Sequence, residues 1–534
     1  MINQVDLLFC HGTIWTGDPR HPNAEAIVVQ GDRIMDVVYN HDLGMYQKVA
    51  REVIDLQGKF VTPGFIDTHT HFTEGGVRLN SLDFGGVSSK QEFIQRISEV
   101  IKTLPPNAWI IGGNWDHELF PGHQLPCKEW IDEATSHNPV CLSRRCGHMI
   151  LTNSLALKMA GISKETKNPA GGIILQDPAI GEPTGILKDS AMKLVLYIIP
   201  PVSLNQKTKT IKGAMNEAVP LGLTSVHAMD GLEDVEAYSE LYKKKEMTIR
   251  VRLYLPIRHW QKIKLLRDSI QKNPFLAIQG VKGFADGSLG SSTALFYEPY
   301  ADDPENYGLA AEDFLPMEKM AGYIKEADAA GLQAAIHAIG DKANAKIIDI
   351  FEANPKTNGS QDRRFRIEHA QHLQPQDIPR FAKNGIIAAM QPYHCLEDGC
   401  WAERKIGSER LLGTYAFRSL IDVGAIIAFG SDWTVAPLNP MLGVYAAVTR
   451  ATINGKNLMG WIPEQKITVD EALRCYTRNA AYAQFSEKEL GCLAPNYYAD
   501  LVIWSADPRR VSPEEIKSIR AVATYVGGKR VYGT

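Results

Sequence analysis

Eight short apolar segments alternate with amphipathic stretches through most of this chain, and that alternation restricts the fold more than any other feature. In order they are VTPGFIDTHTH (61–71), LGLTSVHAM (221–229), IRVRLYL (249–255), AIQGVKGFAD (277–286), LQAAIHAIG (332–340), RFRIEHAQ (364–371), GIIAAMQP (385–392) and AIIAFGSD (425–432). Amphipathic runs such as MEKMAGYIKEADAAG fill most gaps. Eight strands alternating with helices predict an α/β fold of the (β/α)8 TIM-barrel type, here over residues 61–484. One gap is too long for a crossover. Residues 73–205 carry their own glycines and helical patterns, including KQEFIQRISEVIKTL, so they read as an inserted subdomain over the barrel mouth. The two ends have a different texture. AEAIVVQGDRIMDVV predicts a hairpin across Gln30-Gly31-Asp32, and VATYVGGKRVYG another at Gly527-Gly528. Each end piece is too small to bury a core alone, so 1–60 and 485–534 are expected to join as one composite β-sandwich domain.

Composition narrows the function classes. With 534 residues, 44% of them hydrophobic, the chain can bury a large core, and a net charge of -4 excludes a nucleic-acid surface built on excess positive charge. No apolar run reaches the length of about 18 residues that a membrane span requires. MINQVDLLFCHGTIW lacks the basic start and sustained apolar core of a signal peptide, and the eight cysteines are scattered. The expectation is a reduced, cytoplasmic protein with a small-molecule substrate and neither nucleic-acid nor membrane partners. A homodimer is common among enzymes of this size.

The active site of such a barrel lies at the C-terminal ends of its strands. Strand one ends in His69 and His71, which one intervening residue places on the same face. Strand four carries Lys282, strand five ends in His337, strand six in His369 and strand eight in Asp432. Any one of these alone reads equally well as a structural residue or, for Asp432, a helix cap. All six at the correct ends is a joint signal. Imidazoles and a carboxylate suit zinc or a similar divalent ion. Six candidates exceed what one tetrahedral catalytic zinc needs and suit two ions. An ammonium has no lone pair, so Lys282 joins them only as a carbamate formed with carbon dioxide.

FIDTHTHF, VKGFADGSLGS, IHAIGD, RIEHAQ and FGSDWTVAPLNP together resemble the amidohydrolase superfamily, and most closely its family 3 branch, which includes N-substituted formamide deformylases. The likeness spans nearly the whole chain. It implies two zinc-type ions, the first held by His69, His71 and Asp432, the second by His337 and His369, with carboxylated Lys282 as bridge. It further implies hydrolysis of an amide or N-formyl C–N bond by a metal-bridging hydroxide, with Asp432 as general base. His227, ending strand two, is a candidate donor to the developing oxyanion. In the insertion, Trp115 in GGNWDHELF and His148 in RRCGHMILTN are candidate substrate contacts, although Cys146 stands where family members often have Asp. Asp286 and Ser288, after Lys282, line the pocket or order their loop. Tyr393 and His394, after strand seven, either face the pocket or pack in their loop. Rival readings are a mononuclear deaminase or an ester or lactone hydrolase on the same barrel, and a non-catalytic scaffold.

Overall fold

The computed structural model describes residues 4–533 other than 80, 103, 201, 271, 272, 355–357 and 360. At its centre is an eight-stranded sheet, parallel throughout and ordered by sequence: Phe65–Thr70, Leu223–Ala228, Arg250–Pro256, Leu276–Phe284, Gln333–Ala338, Arg366–His369, Ile387–Met390 and Ile426–Phe429. These are the first to eighth barrel strands below. The eighth returns to the first at the mouth, where Asp432 donates its N–H to the His69 carbonyl (2.7 Å) and His71 donates to Trp433 (2.6 Å). The sheet therefore closes through the residues that the sequence nominates for chemistry.

Two further sheets come from the chain ends. One holds Val5–Cys10, Ala26–Gln30, Arg33–Val38 and Ala50–Asp55, and the other pairs Phe60–Pro63 antiparallel with Leu501–Trp504. Phe9, Ile27 and Ile34 of the first pack on Val61, Leu501 and Tyr525 of the second. The segment VTPGFIDTHTH thus serves two sheets, with Gly64 between Phe60–Pro63 of one and Phe65–Thr70 of the other. A Cβ at Gly64 would lie 2.1 Å from the Thr224 side chain, so only glycine passes there. Trp504 fixes the sandwich to the barrel: its Nε1–H donates to Thr62 (2.9 Å) and its ring lies 5.1 Å from that of Phe65. Burying such a ring removes roughly 150–250 Å² from water, worth about 4–6 kcal/mol.

Between the first and second barrel strands, six strands from Leu82–Asp83 to Pro183–Asp189 form a separate sheet with its own aromatic core of Phe84, Phe93, Trp115, Phe120 and Trp130. Asn153 caps a helix there by accepting from the Ala156 N–H. No helix among the described residues is long and apolar enough to cross a membrane.

Candidate active site

Alternation along the barrel strands sends every second side chain inward, and near the mouth the inward residues are titratable. Lys282 Nζ lies 3.4 Å from His69 Nε2, and Asp432 Oδ1 lies 3.5 Å from His69 Nε2 and 3.4 Å from His71 Nε2. The rings of His337 and His369 are 4.5 Å apart, and those of His69 and His369 5.0 Å. Ligand atoms of His69, His369 and Asp432, all buried, fall within 4.8 Å of one another. All six sequence-nominated residues are therefore brought together.

Backbone strain is present here. His369 (φ 74°), Ala370 (φ 44°) and Asp432 (φ 59°) adopt left-handed conformations that side chains disfavour. Asp67 holds two of the strand ends, accepting from the N–H groups of His69 and Ser431 at 3.0 Å each. The electrostatics follow from burial. Desolvation, reinforced by the Lys282 charge, holds His69 well below its ordinary value, so its imidazole is neutral. Desolvation also brings the Lys282 ammonium down to about 8. Burial favours the acid form of Asp432, but the surrounding imidazoles overrule it and keep the carboxylate ionised. Nδ1 of His369 and Oδ1 of Asp432 are buried without a hydrogen-bond partner, as is Nε2 of His394. Orphaned lone pairs converging from several strands are what a cation requires and what a purely structural cluster avoids.

Behind the cluster runs a buried chain that the sequence did not disclose. His69 Nδ1–H donates to Glu368 (2.5 Å), which leaves Nε2 as the open lone pair. Arg366 clamps the same carboxylate with two bonds of 2.8 and 3.0 Å and donates to His227 Nδ1 at 2.6 Å. His227 Nε2–H donates in turn to Gln484 (3.0 Å). Both nitrogens of His227 are consumed inside the barrel, and it lines neither of the two cavities at the mouth. The expectation that it meets a substrate oxyanion is corrected: it belongs to the interior layer beneath the mouth.

The insertion roofs the site. His148 donates Nδ1–H to Asp189 (2.8 Å), and its ring stands 5.1 Å from that of His337. Burial opposes its charge, but the hydrogen bond and charge of Asp189 raise it to about 9. A cavity of about 270 Å³ opens beside His71, His148, Lys282, His337 and Asp432, walled by Met192, Leu196 and Phe284. A smaller lobe of about 70 Å³ lies across His148 and His369, against Arg144, Arg145, Glu397 and Trp401. Cys146 lines both.

The remaining nominees divide. Asp286 touches the larger lobe, yet its carboxylate accepts the N–H groups of Leu295, Ile339 and Gly340 at 2.8–3.0 Å, so it orders the loops around His337. Ser288 borders the smaller lobe and bonds Ser291 at 2.8 Å. Trp115 is not at the site: it is fully buried in the insertion core, where its Nε1–H donates to the Leu142 carbonyl. Tyr393 packs on the barrel core and borders neither lobe, whereas its neighbour His394 borders the smaller one, 3.9 Å from Asp432.

The amidohydrolase family model matches residues 52–532. The chain is 41% identical to the Arabidopsis thaliana protein LONG AFTER FAR-RED 3, covering 99% of this chain and 92% of that one. It is 26% identical to the N-substituted formamide deformylase of Arthrobacter pascens over 99% and 98% of the two chains. A crystal structure of an uncharacterized metal-dependent hydrolase from Pyrococcus horikoshii superposes with a TM-score of 0.77 at 27% identity, over 95% of this chain and 99% of that one.

Proposed function

The chain belongs to the amidohydrolase family and is a hydrolase, and from that premise we propose that it cleaves a C–N bond of the amide or N-formyl type in a small molecule, using two divalent ions. The observation that carries this reading is the meeting of unpartnered buried His369 and Asp432 atoms with His69, His71, His337 and Lys282 at one barrel mouth. The residues fit the ions. His69, His71 and Asp432 would hold one. His369 would hold the other together with His337, whose Nε2 is taken by the Gly287 carbonyl at 2.9 Å, leaving Nδ1. Lys282, buried and held at about 8, would add carbon dioxide as its neutral amine, releasing one proton to water, and as a carbamate would supply a further anionic ligand. When bound, such ions polarise a carbonyl and acidify a water.

The protein's own groups supply the rest. Asp432, kept ionised among imidazoles, accepts a proton from the attacking water and passes it to the leaving nitrogen. His148, fixed by Asp189 above the centre, presents Nε2 to the substrate. Met192, Leu196 and Phe284 favour an apolar substituent in the larger lobe. The relative named as an N-substituted formamide deformylase supports the bond type. The tight His69–His369–Asp432 group favours a second reading, one ion serving a deaminase or an ester or lactone hydrolase.

Elemental mass spectrometry on protein purified with bicarbonate and without chelator tests the first reading. About two zinc-type ions per chain, with turnover of N-formyl amines or amides, is the expected result. One ion moves the reading to the mononuclear alternative, and none after reconstitution removes both.

A further inference from the structure

At the other end of the barrel, under the third and fourth strands, lies a cavity of about 570 Å³ that the proposed reaction does not use. Its wall contains Arg252, which is 6% exposed. Two residues earlier on the same strand face, Arg250 is also buried, and Asp500 neutralises it through two bonds of 2.7 and 2.8 Å. Arg252 has no such partner. Among the described residues no carboxylate lies within ion-pair distance, and its guanidinium meets only the carbonyls of Val251 (3.2 Å) and Pro274 (3.3 Å). Carbonyl dipoles satisfy N–H groups, but they do not cancel a buried positive charge, which normally persists only beside a counter-charge. On the same wall the Gln484 amide Nε2 is buried and unpartnered, its Oε1 already taken by His227. The rest of the lining includes Ile278, Phe485 and Leu490. Glu489, the acid at this rim, is held by Arg33 at 3.0 Å.

We propose that this basal cavity is a second ligand site for a small organic carboxylic acid, its carboxylate seated on Arg252 and its apolar body against Ile278, Phe485 and Leu490. A planar guanidinium that gives one N–H of each terminal nitrogen to a carbonyl keeps further N–H groups to offer a carboxylate, and the volume falls within the roughly 300–1,000 Å³ typical of small-molecule sites. The site is separate from the metal centre, which occupies the opposite ends of the same strands.

Thermal melting of the metal-loaded enzyme at fixed ionic strength is the test, with benzoate as probe, benzamide as its neutral counterpart and inorganic phosphate as a bare anion. The expected result is a saturable rise in melting temperature with benzoate and none with benzamide. Arg252→Met removes the response while metal content is unchanged. If that variant does not fold, Arg252→Lys, which keeps the charge and loses the fork, weakens half-saturation at least tenfold. No saturable benzoate response, a response to phosphate alone, or an equal benzoate response in the variant, as expected if the acid binds the metal centre, overturns the proposal.

Discussion

His227 and His369 both sit at ends of barrel strands, both are buried, and both are held below the ordinary imidazole value chiefly by desolvation. They differ in what their nitrogens meet. His227 has both engaged, by Arg366 at 2.6 Å and Gln484 at 3.0 Å, whereas Nδ1 of His369 meets nothing. The interior of this barrel therefore has two polar layers. The lower one, built from His227, Tyr254, Gln333, Arg366 and Glu368, is tied together by hydrogen bonds and stiffens the scaffold. The upper one is left incomplete, and incomplete buried polarity marks where chemistry takes place. Residue type does not separate the layers; unsatisfied valence does.

If that division is right, the largest effects come from the upper layer. Asp432→Asn keeps a ligating oxygen but cannot take a proton. Turnover of an N-formyl or amide substrate should fall by about 10³-fold or more, with most metal retained by elemental analysis. Unchanged turnover would remove Asp432 as base. Lys282→Ala should lose metal and activity together and recover part of both with a short carboxylic acid and fresh metal. Retained metal at full activity would defeat the carbamate bridge. The neutral amine is the form that reacts with carbon dioxide, and for a group near 8 its fraction rises about fivefold between pH 7 and pH 8. At constant dissolved carbon dioxide, reconstitution of metal-free enzyme should accelerate accordingly, and a rate independent of pH would contradict the buried lysine's role.

The upper layer was legible in the sequence for a physical reason. Strand ends define the mouth, and His69, His71, Lys282, His337, His369 and Asp432 all fall there. Glu368 was not, because alternation places adjacent residues on opposite faces. The left-handed backbone at His369 breaks that rule and lets both neighbours reach the interior. His227 misled for the complementary reason: its strand position resembles the others, but the partners that close it off are Arg366 and Gln484, far away in sequence. Trp115 lies in a loop-like GGNWD motif yet serves the insertion's own core, which no local pattern reveals. The double duty of VTPGFIDTHTH was not legible, because one apolar run covers both strands and only their distant pairing partners tell them apart.

Glu368 ties the lower layer to the upper one, touching His69 but no cavity. Glu368→Gln removes the acceptor charge that fixes the His69 tautomer, so metal affinity should fall about 10–100-fold. Competition with a chromogenic chelator measures it, and affinity equal to wild type would make Glu368 part of the scaffold alone. His148→Ala should act more gently, raising KM about tenfold, the worth of one substrate hydrogen bond, at constant metal content. An unchanged KM would assign His148 to the roof structure with Asp189.

The smallest catalytic effect is expected at His227, where the two layers are told apart most directly. An oxyanion donor contributes about 10²–10³ to kcat, so His227→Asn would cripple turnover if the residue met substrate. Its placement predicts instead that kcat per metal-loaded chain stays within about twofold. The cost should appear in stability, because Asn Oδ1 can still accept from Arg366 but the buried Gln484 oxygen loses its Nε2–H donor, a penalty of about 1–3 kcal/mol. A lowered melting temperature with intact kcat would support the two-layer division. A hundredfold loss of kcat in a fully metal-loaded, normally melting variant would place His227 with the upper layer and return the oxyanion role to it.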